Sequence, residues 1–175
     1  MHTLRSQLKT VAGSLLVIAW GVPALAQTPA PDPQTALLLE KWNTIGQWIV
    51  EMAEAFPEDK YAYRPVPEVR TFAEQLRHLG FWHRYSVQVA RGEKPSGAAN
   101  ELPAASYPTK AAIVTVLKQI NADGAEVLRR SSASIEQLSN WSGAIEHAVD
   151  HYGQMVIYLR LNGIVPPTTA KQPAQ

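Results

Sequence analysis

Apolar residues return every third or fourth position over four stretches of the chain, the period of a helix with one face turned to a core. Leu38, Trp42, Ile45, Ile49, Met52 and Phe56 define the first stretch, over about 35–56. Phe72, Leu76, Leu79 and Trp82 define the second, over about 70–90; Thr71 opens it with Glu74 three residues on, the spacing of a capping box. Ile113, Leu117, Ile120, Gly124 and Val127 mark the third, over about 108–131, with Pro108 in its first turn. The fourth covers about 140–162 and stops at Asn162-Gly163 and Pro166-Pro167, where a terminating glycine and trailing prolines belong. No segment alternates convincingly in the manner of a strand. Four amphipathic helices of about 20 residues predict an all-α fold, a four-helix up-and-down bundle. Only the linker 91–107 is long enough to cross along the bundle rather than turn tightly.

The two ends of the chain depart from this pattern. "MHTLRSQLKT" carries Arg5 and Lys9 and no acidic residue, an apolar run from Val11 to Leu25 follows, and Ala24-Leu25-Ala26 closes it. This is the layout of an export signal with an A-x-A cleavage site, so residues 1–26 are expected to be removed after Ala26. The apolar run is shorter than the roughly 20 residues that span a bilayer, and Pro23 breaks it. The expected domain plan is a flexible leader over 27–34, the bundle over 35–165 and a disordered tail over 166–175. No lipid-attachment cysteine follows the signal, so the expected location is periplasmic or secreted, with no membrane association after cleavage.

Charge and composition narrow the chemistry. Losing Arg5 and Lys9 takes the formal net charge from +1 to about −1, which leaves no basic surface to draw nucleic acid or acidic lipid. Cysteine is absent, so no thiolate is available as nucleophile or ligand, and any metal must be held by His, Asp or Glu. The chain carries no glycine-rich phosphate loop and no G-x-S-x-G elbow.

Of five histidines, His147 and His151 stand four residues apart in "HAVDHYGQMVIYLRLNGIVPP", so both project from one side of the fourth helix. Two imidazoles so placed can grip one ion, as in H-E-x-x-H, but Ala148 occupies the position of that motif's general base. Gln154 and Tyr158 share the stripe, with Val149, Tyr152 and Val156 opposite. The wide apolar coverage of this helix predicts that the polar column also faces inward, where each group needs a partner. A metal ion is one such partner, with Gln154 and Tyr158 supporting its ligands; water is the bland alternative. A third ligand must come from another helix. His78 and His83 differ by about 140° in direction, so they cannot serve the same point. His83 lies with Phe72 and Leu76 and is read as a core-edge or surface histidine, whereas His78 lies with Thr71, Glu74, Trp82 and Tyr85 and is chosen as ligand. Glu74 is either the helix cap or the catalytic candidate, a base for bound water. Asp150, about 60° off the stripe, reads as a surface charge.

"RTFAEQLRHLGFWHRY", followed some seventy residues later by the histidine pair, "GQ" and "NGIVPP", resembles the DinB-like family, sometimes grouped with YfiT-type proteins. The resemblance covers nearly all of the expected mature chain. It implies a four-helix bundle holding a metal by one histidine of the second helix and an H-x-x-x-H pair of the last, which map onto His78, His147 and His151. It further implies dimers in many members, and metal-dependent thiol-transfer or thiol-cofactor isomerase activity in some. An export signal takes this chain away from abundant cytoplasmic thiols and so weakens the thiol reading. The expectation is therefore an exported enzyme, hydrolase- or transferase-like, using Zn, Ni, Fe or Mn on three histidines with an open position for water or an unidentified small-molecule substrate. The alternative is a non-catalytic bundle, a carrier or sensor, in which Trp42, Trp48, Trp82, Tyr85 and Trp141 line a ligand pocket.

Overall fold

A computed structural model of the chain describes residues 32–131 and 134–171. The expected signal and most of the expected leader lie outside those residues. Four long helices, α1 (Pro33–Ala55), α2 (Phe72–Ala90), α3 (Lys110–Arg130) and α4 (Ile135–Leu161), are joined by a short helix α5 (Pro167–Ala170), and no strand occurs among the described residues.

Each long helix begins on a side chain that accepts the free N–H groups of its first turn. Asp32 does this for α1, with Pro33 as the first helical residue, so the end of the expected leader is already helical. Thr71 and Glu74 form the anticipated capping box on α2, and Thr109 caps α3. Ser134 caps α4, which therefore starts five residues ahead of the expected boundary. The polar run before Trp141 hid that start, because Gln137 and Asn140 spend their amides on α2: Gln137 donates to the Ala90 carbonyl and Asn140 to that of Ser86.

α1 packs on α3 and α4, and α2 packs on the same two helices, so α1 and α2 stand diagonally across the bundle. Phe72 at the start of α2 meets Phe56 just past α1 with ring centroids 4.0 Å apart, so these two helices run in opposite directions. Lys110 at the start of α3 donates to the Glu54 and Phe56 carbonyls, at that same end. The linker therefore crosses the length of the bundle, as its length predicts, and leaves α2 and α3 parallel. On its way Leu102 donates its N–H to the Arg77 carbonyl and seats against Gly80, clustering with Val116 and Ile120 of α3. Trp42 meets Trp141, and Trp48 meets Tyr152, which sets α1 and α4 parallel as well.

The core is apolar along the bundle and dense. Trp42 is fully buried, its indole N–H donating to the Asn121 carbonyl at 2.9 Å. Gly124 lets it in: a Cβ there would lie 2.4 Å from the Trp42 ring. A rigid indole in a filled core has nowhere to move. Gly124→Ala is thus expected to destabilise the protein by about 1–3 kcal/mol despite alanine's better helix propensity, measured as a lowered urea midpoint.

Within the expected tail, residues 166–171 include α5 and lie against the bundle, where Thr168 meets the Tyr152 hydroxyl and Lys171 pairs with Glu51. One expectation needs correction. Val149, read as part of a buried apolar side of the last helix, is half exposed. The buried face of α4 instead carries Trp141, Ala144, Ala148, His151, Met155, Tyr158 and Leu159. Among the described residues no helix is long and apolar enough to cross a membrane.

Candidate metal centre

His78 on α2 and His147 and His151 on α4 converge, with one ligating nitrogen from each lying within 4.8 Å of the other two. Their ring centroids are 4.5–5.1 Å apart. The antiparallel contact of α2 with α4 brings the rings together, and all three are at least partly buried.

Two of the rings are fixed from behind. His78 Nδ1–H donates to the Asn100 carbonyl at 2.7 Å, and His151 Nδ1–H donates to Gln75 Oε1 at 2.7 Å. A carbonyl oxygen can only accept, so each of these rings carries its proton on Nδ1 and keeps a bare lone pair on Nε2. The Gln75 amide is oriented in turn: its Nε2 donates to Gln154 Oε1 at 3.2 Å, and Gln154 Nε2 donates to Asp150 at 2.9 Å. This chain of donors begins on the His151 ring and ends on a carboxylate, so every amide in it has one allowed orientation. Tyr158 closes the network, its hydroxyl 3.5 Å from Gln75 Nε2 and donating to the Arg70 carbonyl at 2.6 Å. Gln154 and Tyr158 thus lie in the hydrogen-bond network behind His151 and reach that ring through Gln75.

The donor set suits a divalent ion. His78 Nε2 and His147 Nε2 are 3.2 Å apart. Two imidazole nitrogens each ~2.05 Å from one tetrahedral ion would be ~3.3 Å apart, so this spacing needs little adjustment. Two bare lone pairs at that separation repel unless a proton or a cation lies between them. His147 Nδ1 is buried without a protein partner, which leaves that ring free to carry its proton on either nitrogen. Burial lowers the pKa of all three rings, with His147 and His78 adding to the effect on His151, which is pushed down to about 4. At neutral pH the triad is therefore uncharged and ready to coordinate without first losing protons.

Other predicted residues sit differently. Glu74 is held in the capping box, accepting from the Thr71 N–H at 2.7 Å, with Arg64 3.6 Å away. The Thr71 hydrogen bond and the Arg64 charge keep its carboxylate ionised to lower pH than usual, which makes it a weak base, and its hydrogen bonds go to the cap rather than the imidazoles. His83 is neither at the core's edge nor on the surface. It is fully buried, its ring 4.5 Å from that of Trp42, and it takes no part in the triad. Asp150 is exposed, as read, but it anchors the amide chain.

Gln75 and Asn100 were not singled out from the sequence. Gln75 had a signal, standing three residues before His78 on the same stripe of α2. Asn100 had none, because it acts through a backbone carbonyl in the linker. Its φ of 57° is left-handed, a conformation asparagine tolerates. Its side chain also accepts from the Trp82 indole N–H at 2.9 Å, so one residue steadies both a ligand and a neighbouring wall.

Two concavities flank the triad. A pocket of about 550 Å³ is walled by His78 and His147 together with Trp82, Tyr85, Gly143 and Ala144. A groove of about 740 Å³ lies beyond Gln75, Gln154 and Tyr158. Of the aromatics considered for a pocket, Trp82 and Tyr85 line the first, Trp42 and Trp141 are core, and Trp48 lies partly exposed against Tyr152. A family model described as the DinB superfamily matches residues 43–157, a span that includes all three histidines. No curated protein matches the chain.

Proposed function

The chain belongs to the DinB superfamily, and we propose that it is an exported, metal-dependent enzyme of the hydrolase or transferase kind, built on His78, His147 and His151 with coordination positions left open. The observation that carries this reading is the pair of locks behind the rings. The Asn100 carbonyl and the Gln75 amide hold His78 and His151 by their Nδ1–H groups, with both Nε2 lone pairs free. A polar seam satisfied by water alone has no need of that arrangement.

Three imidazoles leave at least one position of a four- or five-coordinate ion for another ligand. The pocket walled by His78 and His147 gives a small molecule a way to it. When bound, a divalent ion such as Zn, Ni, Fe or Mn would supply Lewis acidity and lower the pKa of water or a substrate group toward neutrality. The chain's own part is to present three neutral donors, to hold two of them in one tautomer through Gln75 and Asn100, and to wall the approach with Trp82 and Tyr85.

Protein purified without a histidine tag is expected to hold about one divalent ion per chain. The loaded form should hydrolyse or transfer groups on members of an ester, phosphoester and thioester panel, and the chelated form should not. Absence of the ion, or equal turnover by both forms, would overturn the proposal. Export rests on the first 26 residues. N-terminal sequencing of the protein from its native host is expected to begin at Gln27.

A further inference from the structure

We propose that the pocket beside the triad holds the apolar, planar part of a small-molecule substrate against Trp82 and Tyr85 while its reacting group meets the histidines. This rests on the metal-enzyme reading above and gives it a substrate class: uncharged aromatic or similarly flat apolar compounds bearing a metal-seeking group.

The lining supports this choice. His78 and His147 form part of the wall, so whatever fills the pocket lies against two of the three ligands. Trp82 is 6.4 Å from His78 and 6.3 Å from His147 between ring centroids, and 5.2 Å from Tyr85. The indole is also held in place before any ligand arrives. Its N–H is tied to Asn100, and Gly97 covers its far edge, where even a Cβ would come within 3.3 Å. A fixed aromatic face loses little freedom on binding, which favours a flat partner.

No residue lining this pocket carries a carboxylate, ammonium or guanidinium group, so nothing there calls for a charged body. Asn140, the amide on the rim, already donates to the Ser86 carbonyl. Space is left at Gly143, where a Cβ would meet nothing within 4 Å. The larger groove is the weaker candidate. None of the three imidazoles lines it, and its Arg70 and Arg64 already face Glu101 at 2.9 Å and Glu74 at 3.6 Å.

The test uses two probes with the same metal-binding head, acetohydroxamate and phenylacetohydroxamate, titrated calorimetrically into the zinc-loaded protein. Phenylacetohydroxamate is expected to bind about tenfold more tightly or better, the gain from burying its ring. Gly143→Leu, which grows a side chain into the pocket, should bring the ratio toward one. Tyr85→Ala, which removes a wall instead of filling the space, should lower it too, and it serves if the first variant does not fold. Equal affinities on the wild type, or a preference unchanged in both variants, overturn the proposal while leaving the metal reading intact. Should the protein hold no zinc, the metal reading fails by itself, and 2-naphthol added to the metal-free protein decides on the pocket. Quenching of tryptophan fluorescence that Gly143→Leu abolishes supports the site, and no quenching refutes it.

Discussion

His78→Ala is expected to weaken divalent-ion binding by more than about 100-fold, and His83→Ala to leave it within about twofold. Removing a ligand should exceed the roughly 10–100-fold effect of losing a partner behind a ligand. That smaller effect is the one expected of Gln75→Leu, which keeps the bulk but leaves His151 Nδ1–H without its acceptor. The order His78→Ala, then Gln75→Leu, then His83→Ala follows from geometry alone. His78 offers a nitrogen to the common point, Gln75 reaches that point through one hydrogen bond, and His83 is packed on Trp42 outside the triad. Competition with a chromophoric chelator at fixed pH measures all three. If His83→Ala strips the ion and His78→Ala keeps it, the centre has been placed on the wrong side of α2.

Acid should destabilise the metal-free protein through His83. Burial, with a smaller push from the charge on His147 and some opposition from Asn121, takes this ring down to about 4. Unfolded, it titrates near 6.5. Between those values the unfolded chain binds the proton and the folded one does not, so stability falls as pH drops from about 6.5 to about 4. Above that window both states are neutral and the contribution is flat. The full loss is on the order of 3 kcal/mol. Urea unfolding in the presence of a chelator, at pH 7.5, 5.5 and 4.5, should show this slope in the wild type and a shallower one in His83→Leu. The comparison between the two proteins cancels the carboxylates and the three triad histidines, whose lowered pKa values add to the acid slope in both. Parallel slopes would mean that the ring takes up its proton in the fold as readily as in the unfolded chain.

How far the sequence reveals the molecule depends on whether a role is local. Helical period and capping are local, so the four helices, the Thr71–Glu74 box and the glycine stop after α4 are legible. Choosing His78 over His83 needed only the turn of a helix, which is why it agrees with the clustered triad. The start of α4 failed because Gln137 and Asn140 answer to α2, not to their own helix. Val149 was misplaced because the rotation of α4 is set by the small Ala144 and Ala148 packing inward, a matter of fit rather than of hydrophobicity. Asn100 was out of reach altogether, since any residue type offers a carbonyl and only the path of the linker decides which one meets His78.

That path has a thermodynamic consequence. Asn100 bears on an imidazole with its backbone and on an indole with its side chain, so the two occupants of the site are not independent. Any guest that settles Trp82 firms the same peptide unit that aims His78. By reciprocity it then raises the ion's hold by the factor with which the ion raises its own. A loop residue that lines the pocket but supplies no ligand to the ion would in this way set the cooperativity between ion and guest.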